Sequence, residues 1–515
     1  MKRVGRRAAL ALAALPAASL SLAGLPAAAQ KPAPTDTLHI SWRDALPNLD
    51  PYQNQLRAGL VLAHQTFDAL VYRDPDTFAI KPLLALSWKY ADPTTLEFEL
   101  RRGVRFHDGS AFTAEDVVYT LELARSDPLV AVPSNYDWLA GAEKIDDYHV
   151  RVKLKRVFPA ALEYIAIVTP ILPRLYREQL GAAGFAESPV GAGPYRFALA
   201  DGARQIVLQR FENYYDGSPK GKPPIRWIVI RVVKDPSEEL ADLLHGDADW
   251  IWNFAADHFD SIIKVPALQA VQAESMRIGY LSLDAAGRSG SDTPFKDLRV
   301  RQAVFYGIDR QSIVRNLMPE GSRVPEAPCY PTQFGCDASH ARRYAYDPAK
   351  AKALLAEAGY PSGFDTEIVS YILPQLSGAV QGYLRAIGIN ARLTTLQTAA
   401  AVQRAVDGTT PLGLGTFGSY SINDVSAILP FYFGGGANDY ARDPEVQKLI
   451  SAGGASINPD ERRNAYVQAI QLITERAYWL PLHTYVTTYG FARLLNFKPH
   501  PDEIPRFYLA SWKQS

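Results

Sequence analysis

The length of the chain is the feature that most constrains its fold. The chain has 515 residues, whereas a single hydrophobic core stops growing at about 250–300 residues. We therefore expect two or more lobes, each with its own core. The composition, 47% hydrophobic and 21% charged, is that of an ordinary globular protein and disfavours extensive disorder.

The N-terminus has the pattern of an export signal. Four basic side chains lie within residues 1–7, an apolar run follows over residues 8–25, and three alanines precede Gln30. This order is typical of a cleaved secretory signal, so we predict that residues 1–29 are a signal peptide cleaved near Ala29. Prolines interrupt the run, which disfavours a permanent membrane span. No cysteine is present there for lipid attachment, so the predicted location is the periplasm.

The predicted mature chain is slightly acidic. Removing residues 1–29 removes four of the 54 basic side chains and none of the 54 acidic ones, which leaves a net charge of −4. Binding to nucleic acid needs a basic surplus, so no nucleic-acid partner is expected. No pattern in the sequence indicates a cofactor.

The two cysteines, Cys329 and Cys336, lie close together in a turn-rich stretch. In an oxidising compartment, such a pair is typical of one disulfide that closes a small surface loop. A metal site would need two further ligands, and His340 is the only histidine nearby. The sequence therefore predicts a disulfide and no metal site.

Hydrophobic periodicity indicates a mixed α/β chain. Strand-like alternation over residues 225–233 stands beside helical patterns over residues 59–71, 236–244 and 298–316. Two helix starts are marked by capping residues: Thr113, followed three residues later by an acidic side chain, and Asp347, followed by proline.

Catalytic motifs are not evident. The chain has no Gly-x-Ser-x-Gly elbow and no histidine followed by glutamate. Residues 413–418 match Gly-x-Gly-x-x-Gly, but no compact βαβ unit surrounds them. His107 lies between two glycines and is expected to be a hydrogen-bonded turn residue. We predict no catalytic residues, and a secreted hydrolase whose catalytic set forms only in space remains the alternative.

Ordered sequence blocks run through most of the chain. The longest reads Phe-Glu-Leu-Arg-Arg-Gly-Val-Arg-Phe-His-Asp-Gly-Ser over residues 98–110 and leads into Phe-Thr-Ala-Glu-Asp-Val. Shorter blocks lie over residues 49–51, 67–71, 82–88, 191–195, 211–217, 297–303 and 346–351. Together, over residues 37–512, they resemble the family 5 extracellular solute-binding proteins, which include dipeptide-, oligopeptide- and nickel-binding members.

The resemblance implies an α/β, two-lobe periplasmic-binding-protein fold of class II, cluster C, with an extra domain inserted in the first lobe. The implied boundaries are residues 30–65, 190–275 and 486–515 for the first lobe (domain I), 66–189 for the inserted domain II, and 276–485 for the second lobe (domain III).

The same resemblance implies the periplasmic substrate-binding component of an ABC transporter. Such a monomer would capture a small solute, a peptide or peptide-like compound, and deliver it to membrane permease and ATPase subunits. A sensor-presenting or chaperone-like binding protein would share the fold. The histidines show no grouping that favours nickel.

Two charged groups that hold peptide ends in relatives have no clear counterpart here. In peptide-binding relatives, an aspartate in the segment matching residues 416–430 pairs with the α-amino group. Tyr420 occupies that position, and Asp424 lies a few residues later. The dipeptide-binding relative's arginine for the carboxylate has no match in residues 370–376. Desolvating a zwitterion without both groups is costly, so we expect a solute less dependent on terminal charges.

The predicted ligand-binding residues are largely aromatic, because aromatic faces give contact area with few rotors to freeze. Strand alternation around residues 249–252 leaves open whether a tryptophan there belongs to the core. The resemblance assigns the following residues to the cleft: Tyr136, Trp138, Trp252, Asn253, Ser419, Tyr420, Asn423, Asp424 and Tyr485.

Overall fold

A computed structural model describes residues 36–54 and 56–513. The predicted signal peptide, residues 1–29, lies outside the described residues. Within the described ranges, no helix combines the length and the apolar character needed to cross a membrane.

Eighteen strands are formed by the described residues, most of them short. They are β1 (Thr37–Trp42), β2 (Val71–Arg73), β3 (Ile80–Pro82), β4 (Ala85–Asp92), β5 (Thr95–Leu100), β6 (Leu139–Asp146), β7 (His149–Leu154), β8 (Tyr195–Asp201), β9 (Gln205–Arg210), β10 (Trp227–Val232), β11 (Trp250–Trp252), β12 (Leu268–Leu283), β13 (Phe364–Ser370), β14 (Ile389–Thr395), β15 (Leu412–Phe417), β16 (Trp479–Ala492), β17 (Leu495–Asn496) and β18 (Ser511–Trp512).

Fourteen α-helices accompany these strands in the same described ranges. They are α1 (Arg57–Thr66), α2 (Ala114–Ser126), α3 (Ala161–Val168), α4 (Arg174–Glu187), α5 (Pro236–His245), α6 (Phe259–Ile263), α7 (Leu298–Gly307), α8 (Arg310–Leu317), α9 (Pro348–Glu357), α10 (Pro374–Ala386), α11 (Thr398–Val406), α12 (Leu429–Phe433), α13 (Pro444–Ala455) and α14 (Pro459–Glu475).

The two predicted helix starts are confirmed. The backbone N–H of Thr113 donates to the Asp116 carboxylate at 2.9 Å, and the Thr113 side chain accepts from the backbone at the start of α2. Asp347 accepts from the N–H of Lys350 at 2.9 Å and begins α9. Each cap satisfies donors that have no partner within the helix.

Two helix predictions were wrong in their bounds. The helix predicted over residues 298–316 is interrupted at Ile308, and Asp309 caps the separate helix α8 by accepting from the N–H of Ser312. The helix predicted over residues 59–71 is α1, which ends at Thr66 because the chain becomes extended at the next residue. No nucleotide site was predicted at the glycine-rich residues 413–418, and they lie mainly in β15.

The largest sheet in the described residues has ten strands, in the order β14-β13-β15-β12-β16-β11-β1-β10-β9-β8. Its two long central strands, β12 and β16, pair antiparallel along most of their length. We call the part with β1 and β8–β11 the first lobe, and the part with β13–β15 the second lobe. The two central strands cross between them, so a change in their twist can alter the lobe arrangement.

The lobes have separate hydrophobic cores. The first-lobe core contains Trp42, Ile230 and Trp250, whereas the second-lobe core contains Val304 and Leu384. A further core belongs to the small-sheet region, residues 85–168, which carries the four-stranded sheet β4-β5-β7-β6. This arrangement agrees with the expectation that 515 residues cannot share one core.

Candidate functional site

The first part of the candidate site is a cavity of about 310 Å³ between the lobes. It is lined by Asn54 and Arg57 near the start of α1, by Tyr136 of the small-sheet region, and by Thr416 and Tyr420 of the second lobe. Side chains from separate cores therefore face one space.

A second cavity, of about 710 Å³, lies against the side chains of Arg57 and Arg277, which also line the first cavity. Its wall includes Trp252, Asn253, Tyr371, Tyr485 and Glu503. The two cavities share three lining residues: Arg57, Arg277 and Thr416. We call the joined space the cleft.

The centre of the cleft holds one carboxylate between two guanidinium groups. Glu503 Oε2 lies 3.1 Å from Arg277 Nη2 and 3.4 Å from Arg57 Nη2. Burial opposes ionisation of Glu503, but the charges of Arg277 and Arg57 outweigh it and lower its pKa to about 2. The cluster therefore carries one surplus positive charge at neutral pH. We call it the arginine cluster.

The two arginines differ in how fully their donors are used. Arg57 Nη1 donates to Ser421 Oγ and to the carbonyl oxygen of Asp502. Within residues 36–54 and 56–513, the Arg277 side chain donates only to Glu503. Its Nε and Nη1 atoms are free to bind an anionic group, and 32% of its side chain is exposed. Arg277 is thus the main unsatisfied donor at the centre of the cleft.

The loop at the second-lobe wall is conformationally strained. Ser419, Tyr420 and Ser421 have φ angles of 49°, 49° and 65°, a left-handed conformation that non-glycine residues rarely adopt. Such residues cost about 1–3 kcal/mol each and persist only where the surroundings hold them. Here Ser421 Oγ donates to Asp502 O at 2.6 Å, and Arg73 donates to Ser421 O at 2.6 Å.

This loop places two of the predicted ligand-binding residues at the cleft. Ser419 and Tyr420 both line the first cavity. Tyr420 is 44% exposed, and its hydroxyl makes no hydrogen bond within the described ranges. It can therefore offer both a ring face and a hydroxyl to a solute.

Asn423 and Asp424 lie on the other side of the loop, away from both cavities of the cleft. The N–H of Asn423 donates to Glu163 at 2.7 Å. The Asp424 carboxylate accepts two hydrogen bonds from Arg462 Nη2, at 3.0 and 2.8 Å, and caps the turn at Ser426. The resemblance predicts that both residues contact the solute, whereas in the structure the Asn423 N–H and the Asp424 carboxylate make internal contacts.

The loop closed by the disulfide, residues 329–336, contacts the segment that contains Asn423 and Asp424. Cys329 is bonded to Cys336. Between them, the N–H of Phe334 donates to Asn423 O at 2.9 Å, and Gln333 Nε2 donates to Ile422 O at 2.9 Å. The loop thus holds residues 422–425 from the side opposite to the cleft.

Tyr136 and Trp138, the predicted aromatic residues of the small-sheet region, occupy different positions. Tyr136 lines the first cavity and donates its hydroxyl hydrogen to Val168 O. Trp138 is only 1% exposed, stacks on Phe158 with ring centroids 5.6 Å apart, and belongs to the core of its region. The main contribution of Trp138 is therefore to packing, and it faces neither cavity of the cleft.

Trp252, Asn253 and Tyr485 all line the second cavity. Trp252 is 3% exposed and packs 5.6 Å from Trp250, because residues two apart on a strand share one face. Asn253 follows with a φ of 54°, and its carbonyl oxygen accepts from Arg43. Burial raises the pKa of the Tyr485 phenol to about 12, so it remains neutral.

Reasoning from sequence missed the arginine cluster. Arg57, Arg277 and Glu503 are more than 200 positions apart from one another in sequence and lie in no common motif. Only the crossing of β12 between the lobes brings Arg277 beside α1 and the C-terminal segment. No local signal in the sequence could have identified them as a group.

Chemistry at the cleft is limited by its lining. Neither cavity is lined by a histidine in the described part of the chain. No group of three or more histidine, cysteine or acidic side chains there could hold a metal ion.

His107 makes the predicted turn contacts, with Nε2 2.9 Å from Gly193 O and Nδ1 accepting from the N–H of Gly191.

Two lobes joined by crossing strands around a polar and aromatic cleft define a solute-binding protein of the periplasmic type. The model of the bacterial extracellular solute-binding proteins, family 5 (middle region), matches residues 79–439. The chain belongs to this family.

Curated relatives and solved structures agree with this assignment. Heme-binding protein A of Haemophilus influenzae is 28% identical over 472 residues, 84% of this chain and 83% of that protein. Glutathione-binding protein GsiB of Salmonella choleraesuis is 28% identical over 469 residues, 84% of this chain and 86% of that protein. The structure of HbpA2 from Haemophilus parasuis superposes with a TM-score of 0.81 at 24% identity, covering 93% of this chain and 100% of that one.

These findings confirm the predicted family, the two-lobe α/β fold and the role of an extracellular solute-binding protein. Its relatives are binding proteins for peptides and similar solutes. Fold and family do not by themselves define the solute of this chain.

Proposed function

We propose that the chain captures a small peptide-like solute that bears a carboxylate, holds it between the two lobes, and releases it chemically unchanged to a membrane permease. Energy for transport would come from the partner ATPase subunits. The protein would act as a periplasmic monomer after removal of the signal peptide.

The observation that carries this proposal is the unsatisfied donor set of Arg277. A half-buried guanidinium whose Nε–H and Nη1–H groups are unused offers charge-assisted donors to a carboxylate oxygen. Because Glu503 neutralises only one of the two arginines, an added anionic group would balance the arginine cluster. A solute without an anionic group would leave the surplus positive charge of this partly buried cluster without a counter-charge.

The relatives' names are consistent with an anionic solute. Heme and glutathione, for which two relatives are named, both carry carboxylates. The cleft offers a weaker site for the α-amino group of a peptide. Asp424 is paired with Arg462, and Glu503 is already shared by two arginines. Recognition of an anionic group would therefore dominate over recognition of a free amino terminus.

The lobe boundaries predicted from the resemblance support a closing motion. We propose residues 30–65, 190–275 and 486–515 as the first lobe, 66–189 as the inserted domain, and 276–485 as the second lobe. Solute bound to one lobe would gain contacts to the other only after closure, which favours the closed state. The contacts of Ser421 with Arg57, Arg73 and Asp502 are the kind that such closure forms.

Mass spectrometry of small molecules that co-purify with the mature protein from its native host tests this proposal. Calorimetric titration with alanylalanine and with its C-terminal amide, which lacks the carboxylate, follows as a defined comparison. We expect one co-purifying solute with a carboxylate, recovered unchanged, and tighter binding of alanylalanine than of its amide. Recovery of cleaved or otherwise converted solute would instead support the secreted hydrolase. Preference for neutral solutes would contradict the assignment to Arg277.

A further inference from the structure

A third cavity adjoins the cleft, beyond the strained loop. It has a volume of about 770 Å³ and lies between the small-sheet region and the second lobe. It shares Asn135 and Tyr420 with the first cavity. We call this space the side cavity, and Tyr420 lies at its junction with the cleft.

The wall of the side cavity is mainly apolar and aromatic. Phe158 and Tyr164 line it on the small-sheet side, and Phe431, Ile450 and Tyr466 line it on the second-lobe side. The ring centroids of Phe158 and Tyr164 are 5.2 Å apart. Such walls favour flat apolar groups, which gain both burial and ring contacts.

An aromatic surface runs without a break from the cleft to the side cavity. Phe417 lines the first cavity and stacks on Phe431 of the side cavity, with ring centroids 5.0 Å apart. Phe417 also lies 6.1 Å from the ring of Tyr420. Phe431 is 37% exposed and Tyr420 44% exposed, so both rings offer uncovered apolar area.

The charged residues of the side cavity do not provide a matching ionic site. Arg462 is paired with Asp424, and its guanidinium also lies 5.7 Å from the ring of Tyr466. Arg156 is exposed and lies over the Phe158 ring at 5.7 Å. Asp137 is exposed at the rim. The interior is therefore suited to an apolar group, whereas the cleft centre is suited to an anionic one.

We infer that the side cavity binds an apolar, preferably aromatic, substituent of the solute whose carboxylate lies at Arg277, with Tyr420 contacting the part in between. The solute class is thus an elongated amphipathic compound that carries a carboxylate and an aromatic or branched aliphatic group. This inference rests on the proposed function and adds a second specificity site to it.

Gly454 provides a way to fill the side cavity without disturbing its wall. It lies in α13, lines the cavity, and has no atom within 4 Å of the position of an added Cβ. Gly382 in α10 has the same open surroundings and lines none of the three cavities. Gly454→Phe and Gly382→Phe are therefore a matched pair, and equal thermal unfolding midpoints would show that both variants fold.

The experiment uses a pool of synthetic tri- and tetrapeptides of random sequence. Each protein is incubated with the pool, and the retained peptides are identified by mass spectrometry. We expect the unaltered protein and Gly382→Phe to enrich peptides with an aromatic residue at least fivefold over the pool. Gly454→Phe should retain peptides with no such enrichment.

Two results would overturn the inference. One is equal aromatic enrichment by Gly454→Phe and Gly382→Phe, and the other is retention of peptides by the unaltered protein with no aromatic preference. Retention of no peptide by the unaltered protein would be a different failure. It would overturn the proposed peptide-like solute, and the inference would fall with it.

Discussion

Two buried charge clusters lie on opposite sides of the strained loop, and they differ in their balance. Asp424 and Arg462 form a one-to-one pair with side chains that are 6% and 7% exposed. The arginine cluster has one carboxylate, Glu503, for two guanidinium groups, and Arg277 is 32% exposed. The carboxylate of the first cluster already accepts from Arg462 and from the N–H of Ser426, whereas the second cluster has both a surplus positive charge and free donors.

The comparison shows why an acidic residue near the site need not be a binding residue. A buried pair is costly to break because removal of one partner leaves the other charge uncompensated. A cluster with unequal charges tolerates loss of its surplus member, since the remaining two still balance. We therefore assign a structural role to Asp424 and a binding role to Arg277.

The largest expected effect is that of Asp424→Ala on stability. Loss of the carboxylate leaves Arg462 buried without its counter-charge and removes the cap at Ser426, so the free energy of unfolding should fall by about 3–5 kcal/mol. Urea unfolding measures this change. The control is Asp460→Ala, because the Asp460 side chain is 82% exposed; it should cost about 0.5 kcal/mol or less. Equal stability of the two variants would remove the distinction between the clusters.

The next effect in size is that of Arg277→Gln on affinity. Hydrogen bonds to charged groups contribute about 1.5–3 kcal/mol, so the co-purified solute should bind about 10- to 100-fold more weakly in calorimetry. Stability should change little, because Glu503 keeps its contact with Arg57. Arg204→Gln, at a side chain that is 86% exposed, should leave affinity unchanged. An unaltered Kd for Arg277→Gln would place the carboxylate elsewhere.

The third expected effect is absent at neutral pH, and it concerns a half-buried group that has no ion-pair partner in the described residues. Burial lowers the pKa of His107 to about 4, so the unfolded chain binds its proton first as pH falls. The free energy of unfolding therefore keeps its full value above about pH 6.5. Between about pH 6.5 and pH 4 it falls by about 1.4 kcal/mol per pH unit. His107→Gln should reduce the slope of stability against pH by that amount, as measured by urea unfolding at pH 7, 5.5 and 4.5.

Glu503 provides the contrast for the pH experiment. Its folded pKa of about 2 is below its ordinary value of 4.5, so its contribution is present above pH 4.5 and is lost only between about pH 4.5 and 2. The arginine cluster should thus remain intact over the range in which His107 titrates. A slope that is unchanged in His107→Gln would contradict the neutral burial of this histidine.

Local sequence patterns were sufficient for the parts of the fold that depend on local contacts. The caps at Thr113 and Asp347 were predicted because capping needs only neighbouring residues. The break before α8 was missed, although Asp309 is a good capping residue, because the apolar spacing on both sides continued through it. Helical periodicity alone does not show where a chain changes direction.

The candidate site was predictable only in part, for a physical reason. Tyr420 and Tyr485, which the resemblance assigns to the cleft, each line one of its two cavities. The pairing of Asp424 with Arg462, 38 positions later, and the meeting of Arg57, Arg277 and Glu503 depend on tertiary contacts. Trp252 lies at the boundary between core and cleft, because its strand packs on one face and borders the second cavity at its end.

A crystal structure of the mature protein, purified from its native host with its co-purified solute, tests the central claim most directly. We expect one solute in the cleft that contacts both lobes, with its carboxylate accepting a hydrogen bond from the Arg277 guanidinium. A solute that is bound outside the cleft, contacts a single lobe, or lies away from Arg277 would contradict the claim.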